Sequence, residues 1–163
     1  MDVEELQKIM IIKGLKLSVA ESCTGGSLSA TLTQIPGCSK YFLGGIVAYS
    51  NDLKKKLLGI SPAVLEKEGA VSEAVVVQMA EGMLRLSGSD YSIAVSGIAG
   101  PEGGTNEKPV GTIWGAIAQK NGNTETYKFL LSGKRQGIFQ QTCENLLAKL
   151  LEKLYEEELP MGK

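Results

Sequence analysis

The sequence predicts an α/β fold, a three-layer sandwich with a mixed sheet. Three observations carry that prediction. Segments of helical periodicity alternate with short apolar runs along the whole chain, the pattern of strands connected by covering helices. Asn121-Gly122 between two of the apolar runs marks a tight antiparallel hairpin, which makes the sheet mixed. No internal repeat or linker divides the 163 residues, so residues 1–163 read as one domain able to bury a real core.

The elements follow in order. Val3, Leu6, Met10 and Lys13 trace a helical face that stops at Gly14. A first strand covers residues 16–20 and gives out at Glu21, with a helix expected to begin near Thr24. Leu28, Leu32 and Ile35 mark that helix, and Pro36-Gly37 ends it. A second strand is expected over residues 45–50. Asn51 is expected to cap a helix carrying Leu53, Leu57 and Leu58, closed by Gly59. Ser61-Pro62 places a cap and a proline at the start of a short helix that ends at Gly69. Ser72 starts another, with Val75, Val76, Met79, Ala80, Met83 and Leu84 on its apolar side. A third strand, residues 91–96, enters a glycine-rich loop, residues 97–111. The hairpin pairs residues 112–119 with 124–131. Phe139, Leu146, Leu147, Leu150, Leu151 and Leu154 then line one long helix. This stripe reads as a helix covering the sheet rather than as a coiled coil. Residues 156–163 read as a charged, frayed tail.

Composition narrows the function. The chain is 43% hydrophobic and 21% charged, as in ordinary soluble globular proteins. A net charge of −1 disfavours non-specific nucleic-acid binding. The three cysteines, Cys23, Cys38 and Cys143, are odd in number and lack C-x-x-C spacing. A disulfide framework and a thiolate metal site are therefore not expected, and a reducing cytoplasm is the expected compartment. The apolar run at 9–12 is too short for a signal core, and nothing reaches the length of a membrane span. The chain has no histidine, which excludes a Ser-His-Asp triad, a Cys-His pair and His-bearing zinc motifs within one subunit.

Three clusters carry chemistry. The first is Ala20-Glu21-Ser22-Cys23-Thr24-Gly25-Gly26. A hydroxyl at a strand-to-helix turn lies near unpaired backbone N–H groups, which can hold an anion or the oxyanion formed when a serine attacks a carbonyl. On the alternative reading, Ser22 and Thr24 only cap a helix. With histidine absent, a nucleophilic Ser22 needs another base, and a lysine held neutral is the usual substitute. The second cluster runs from Ala48 to Lys54. Lys54 falls in the first turn of a helix, where the dipole and partial burial both lower a lysine's pKa. Tyr49 can join the hydrogen-bond chain. Lys55 and Lys56 read as a solvated basic patch, which is also the alternative for Lys54. The third cluster is the loop from Ser96 to Thr112. Its glycines, among them Gly100, Gly103 and Gly104, let the backbone approach a ligand, and Thr105 and Lys108 favour an anionic one. It matches neither the Rossmann nor the Walker pattern. Arg135, at a strand-to-helix junction, is placed to grip a phosphate in bidentate fashion.

These residues carry a family resemblance. Ala-Glu-Ser-Cys-Thr-Gly-Gly at 20–26 resembles the CinA C-terminal domain family. So do Val-Ala-Tyr-Ser-Asn at 47–51, Gly-Ala-Val-Ser-Glu at 69–73, Ser-Gly-Ile-Ala-Gly-Pro-Glu-Gly-Gly at 96–104 and Lys-Pro-Val-Gly-Thr at 108–112. The resemblance covers residues 5–155. It implies a three-layer α/β/α sandwich with a five-stranded mixed sheet, one strand antiparallel. It also implies a serine amidohydrolase with a Ser/Lys dyad, no metal and no cofactor. Some stand-alone members hydrolyse nicotinamide mononucleotide to nicotinate mononucleotide and ammonia.

Transferred by position, the nucleophile falls on Ser22 and the base on Lys54, with Tyr49 in support. Thr105 and Arg135 fall on positions facing the pocket. Lys134 stands where the family often has an acidic residue. Many members add an N-terminal domain resembling molybdopterin-binding proteins. The sequence holds no counterpart of it, so functions tied to that domain do not transfer. The expected partners are a small mononucleotide and further copies of the chain, in a dimer or trimer, with no nucleic acid and no membrane. The rival expectation is a non-catalytic nucleotide-binding, competence- or damage-related protein. A third reading is an enzyme for another amide.

Overall fold

A computed structural model describes residues 2–158. Helix α1 (Val3–Ile12) starts at Asp2, whose carboxylate accepts from the N–H groups of Glu4 and Glu5. The chain continues through β1 (Leu17–Glu21), α2 (Ser27–Thr33), a single 3₁₀ turn and β2 (Phe42–Val47). Three helices follow, α3 (Asn51–Leu58), α4 (Pro62–Glu68) and α5 (Glu73–Ser87). Then come β3 (Tyr91–Gly97), β4 (Thr112–Gln119), β5 (Thr124–Leu130) and α6 (Arg135–Glu156). The five strands lie in the order β2-β1-β3-β4-β5. β1 pairs in parallel with β2 and β3, and β4 runs antiparallel to both β3 and β5. A five-stranded mixed sheet with one reversed strand is the expected architecture.

Both faces of the sheet are covered. Val19, Ile93 and Ile117 pack with Leu6, Leu28, Leu32, Leu146 and Leu150 of α1, α2 and α6. Their neighbours Ala20, Ala94, Ala116 and Ala118 point the other way, where Leu58, Leu65, Val76 and Met79 of α3, α4 and α5 form a second core. Small side chains on that face let α5 approach the sheet closely. The leucine stripe of α6 is thus spent on the sheet.

Several boundaries differ from the sequence reading. β2 starts at Phe42 rather than residue 45, because Leu17 and Phe42 are paired and the Leu17 N–H already reaches the Tyr41 carbonyl (2.9 Å). Ser50, not Asn51, caps α3, accepting from the Leu53 N–H at 3.1 Å. β1 is shifted by one residue, and α2 begins at Ser27 instead of Thr24. Residues 157–158, expected within a frayed tail, follow α6 directly, and Glu157 accepts from the Tyr91 hydroxyl. Residues 159–163 of that expected tail lie outside the described residues.

The topology singles out one strand end. From β1 the chain passes through α2 to β2 on one side, then crosses through α3–α5 to β3 on the other. β1 is therefore the switch point, and ligands of open α/β sheets bind outside the carboxyl end of such a strand. Ser22 is the first residue beyond that end.

Candidate active site

Hydrogen bonds continue the sheet past β1 on both sides. The Ala48 N–H donates to the Glu21 carbonyl at 2.8 Å, and the Ser22 N–H donates to the Val95 carbonyl at 3.1 Å. Ser22 is thus fixed between the ends of β2 and β3, with 7% of its surface exposed. Glu21 is in register with Val47, so the chain reaches Ser22 on one strand and Ala48 on the other as both leave the sheet.

Neither Ser22 nor Thr24 caps α2. Its N-cap is Gly26, which has no side chain to offer, and the Thr24 hydroxyl donates to Glu21 Oε1 at 2.6 Å. Gly25 and Gly26 both have positive φ, 59° and 108°, which turns the chain sharply between strand and helix. Within the turn, Gly25 N–H donates to the Ser22 carbonyl and Ser27 N–H to the Thr24 carbonyl. Among the described residues, the N–H groups of Cys23, Thr24 and Gly26 have no backbone acceptor, and the Ser22 hydroxyl has no hydrogen-bond partner.

Lys54, like Glu21, is a charge-bearing residue buried almost completely. It is 1% exposed, on the first turn of α3, and its Nζ donates to the Tyr49 carbonyl at 2.9 Å. Burial pulls its pKa below the ordinary lysine value, opposed in part by the neighbouring Cys23. Among the described residues no carboxylate lies within ion-pair distance of it. A neutral amine can donate one N–H to a carbonyl and keep its lone pair free, so this contact does not require the charged form. Cys23 is silenced by its surroundings. Burial pushes the thiol up to about 12, and the Glu21 charge acts in the same direction.

The Tyr49 hydroxyl, expected to extend the lysine's hydrogen-bond chain, faces elsewhere. It accepts from Arg135 Nη2 at 3.0 Å, while Arg135 Nη1 donates to the Gly100 carbonyl at 2.9 Å. Arg135 therefore ties the start of α6 to the β2–α3 junction and the glycine-rich loop, with its guanidinium over the Phe139 ring. Tyr49 links the cluster, serving Lys54 through its carbonyl and Arg135 through its ring hydroxyl.

The rest of the loop is folded on itself. Thr105 N–H donates to the Lys108 carbonyl, and the Lys108 N–H returns to Thr105 Oγ1 at 3.0 Å. Lys108 Nζ donates to the Glu68 carbonyl at the end of α4 (2.8 Å). It lines a cleft of about 450 Å³ with Ser72, Trp114 and Lys128, a cleft that does not include Ser22, Lys54 or Arg135. Gly100 has its carbonyl on Arg135, whereas Gly103 and Gly104 lie exposed in the loop. Lys54, Tyr49, Arg135 and Gly100 are thus joined by one chain of hydrogen bonds, whereas Ser22 is held through its N–H on Val95 and Lys108 is directed away.

Sequence reasoning missed Glu21. It is fully buried and is the residue that holds the start of α2, accepting from the N–H groups of Leu28 (2.8 Å) and Ser29 (3.0 Å). A signal was present. A carboxylate ending a five-residue strand buried at every position needs several donors, and a helix opening on Gly-Gly lacks a side-chain cap.

The arrangement belongs to a known family of α/β domains. Residues 2–154 match the CinA C-terminal domain. The CinA-like protein of Endomicrobium trichonymphae is 50% identical over 138 residues, covering 85% of this chain and 32% of that protein. The CinA-like protein of Thermotoga maritima is 45% identical over 159 residues, 95% of this chain and 38% of that protein. The chain thus spans about a third of the length of these relatives. The crystal structure of the competence damage-inducible protein A (ComA) from Klebsiella pneumoniae superposes with a TM-score of 0.89 at 38% identity, covering 95% of this chain and 98% of that one. This chain belongs to the CinA C-terminal domain family.

Proposed function

We propose that the chain is a serine amidohydrolase that converts nicotinamide mononucleotide to nicotinate mononucleotide and ammonia. One observation supports it above the rest. The Ser22 hydroxyl has no partner among the described residues, and the buried, unpaired Lys54 amine sits on the carbonyl of Tyr49, two residues beyond Val47, which pairs with Glu21 next to Ser22. A cap would have spent the hydroxyl, and a surface lysine would not lower its pKa by burial.

The steps follow from those groups. Neutral Lys54 Nζ accepts the Ser22 proton as Oγ bonds to the carboxamide carbon. The oxyanion is received by turn N–H groups at Cys23, Thr24 and Gly26. The Lys54 ammonium returns its proton to the amide nitrogen, the C–N bond breaks and ammonia leaves. Water then attacks the ester, giving a proton to Lys54, which passes it to Ser22 Oγ as nicotinate is released. Arg135 uses two of its five N–H donors on Tyr49 and Gly100, so others are left for the phosphate, with Thr105 from the loop. Lys108 joins them only by releasing the Glu68 carbonyl.

The test is ammonia release by purified, chelator-treated protein from the mononucleotide, its riboside and free nicotinamide. Turnover of the mononucleotide above the other two is expected. Tight binding without ammonia would instead assign a nucleotide-binding role. Turnover of other amides alone would assign a different substrate.

We further propose that copies of the chain associate through the β2 edge. Leu43 and Val47 of this edge strand, with Tyr49 and with Leu53 and Leu57 of α3, are each at least 39% exposed. An open, apolar sheet edge is a ready site for pairing with a second copy.

A further inference from the structure

We propose that Glu21 is a positioning residue for the nucleophile turn, an inference that rests on the serine-amidohydrolase reading above. The residue plays two parts at once. Its backbone closes the sheet, with the carbonyl accepting from Ala48 at 2.8 Å. Its side chain turns back to the next element. Oε1 accepts from Thr24 Oγ1 at 2.6 Å and from the Leu28 N–H at 2.8 Å. Oε2 accepts from the Ser29 N–H at 3.0 Å and from Ser29 Oγ at 2.8 Å. The chain leaves the sheet at Glu21 and is tied back to the same residue at Thr24, Leu28 and Ser29. Ser22 lies inside that tie.

The chemistry of the four contacts selects a carboxylate. Two partners are backbone N–H groups, which can only donate, and one falls on each oxygen. A carboxamide must turn its NH₂ toward either Leu28 or Ser29, and flipping it only exchanges which N–H faces another donor. Aspartate is one methylene short. The contacts also decide which amides can serve the reaction. Glu21 occupies the α2 donors at Leu28 and Ser29, so an oxyanion must be received by the turn. By fixing Thr24, the carboxylate orients the N–H groups of Cys23, Thr24 and Gly26 relative to Ser22 Oγ. Misplacing reacting groups by an ångström can cost roughly 10²-fold in rate.

Glu21→Gln tests this with two readouts. One is the rate at which a fluorophosphonate bonds to Ser22 Oγ with loss of fluoride, followed by intact mass. The other is kcat and KM for ammonia release from nicotinamide mononucleotide. Both are run below the variant's thermal transition. Adduct formation and kcat should fall roughly 10²-fold with KM nearly unchanged. Ser29→Ala, which removes one hydroxyl and leaves three contacts, is the milder variant and decides the matter if Glu21→Gln does not fold. It should show a smaller loss of the same kind. Wild-type adduct rates in the folded variants would overturn the inference and leave the serine reading intact. A raised KM with unchanged kcat would overturn it too. A wild-type protein that forms no adduct and releases no ammonia would overturn the serine reading, and this inference with it.

Discussion

Lys54 buries its amine-bearing side chain against the backbone carbonyl of Tyr49, 2.9 Å away, with 1% of the residue exposed. Burial without a carboxylate partner lowers its pKa from the ordinary 10.5. The sign for activity is direct, since a general base works only when deprotonated. The kcat/KM for ammonia release should rise with pH through the lowered lysine pKa and level off above it. A profile flat across neutral and alkaline pH, with chemistry rate-limiting, would argue against Lys54 as base. The sign for stability is the same. Between the folded and unfolded pKa values the unfolded chain binds more protons, so stability rises with pH across that window and the buried amine is a cost below it. Lys54→Met should therefore abolish turnover while raising stability at neutral pH by about 0.5–2 kcal/mol. Denaturant titration of both proteins checks this, and a destabilised variant would contradict it.

Ser22→Ala should lose nearly all turnover with an unchanged thermal midpoint, because the hydroxyl it removes has no partner among the described residues. The double variant with Lys54→Ala should be scarcely slower than either single one, since members of one catalytic unit are not additive. Kinetics of the three variants check the point. Additive losses would mean that the two residues act separately.

Much of this was legible in the sequence, for physical reasons that differ by element. Apolar patterning and caps marked the six α-helices and five strands but not the 3₁₀ turn at Cys38–Lys40, and Asn121-Gly122 fixed the hairpin, because turn chemistry is local; Asn121 indeed has φ 57°. Boundaries failed where a tertiary contact decided them. Phe42 joins β2 through pairing with Leu17, and Ser50 outcompetes Asn51 as cap because the strand ends earlier than its apolar pattern. At the site, Ser22 and Lys54 were legible as residue types suited to a chemistry. Glu21 was missed, because two of its three partner residues, Leu28 and Ser29, lie seven and eight residues ahead on a helix whose start was misplaced. The destination of Lys108 was also hidden, since nothing local links it to the end of α4 forty residues earlier.

Cys23 stands next to the proposed nucleophile but is kept as a thiol, pushed up to about 12 mainly by burial. Thiolate is the reactive form, so Cys23 cannot compete with Ser22 near neutral pH. Iodoacetamide at pH 7 should leave activity intact, and Cys23→Ala should keep kcat within about threefold of wild type, as a buried but unreactive thiol implies. Rapid alkylation of Cys23 with matching loss of turnover would transfer the nucleophile's role to it.

Association through the β2 edge makes its own prediction. Leu57, 44% exposed on α3, can accept a charge without disturbing the core of one subunit. Leu57→Asp should keep the monomer's fold by circular dichroism yet shift the mass measured by light scattering toward a single chain. Unchanged mass for an oligomeric wild type would place the interface elsewhere, and a monomeric wild type would dismiss the proposal.

Arg135 tests the phosphate. Its guanidinium already holds the Tyr49 hydroxyl and the Gly100 carbonyl, so a change here can act through binding or through the loop. If its remaining donors grip the phosphate, Arg135→Ala should mainly raise KM for the mononucleotide. A lost charge-assisted hydrogen bond costs roughly 1.5–3 kcal/mol, or about ten- to hundredfold in affinity. The riboside, which has no phosphate, should be affected little. Tyr49→Phe removes the hydroxyl contact and leaves the guanidinium charge, so it separates the two routes. A large KM effect for Arg135→Ala beside a small one for Tyr49→Phe assigns Arg135 to the ligand. Similar losses for both variants, equal on mononucleotide and riboside, would instead make Arg135 the brace that holds the β2–α3 junction against the glycine-rich loop.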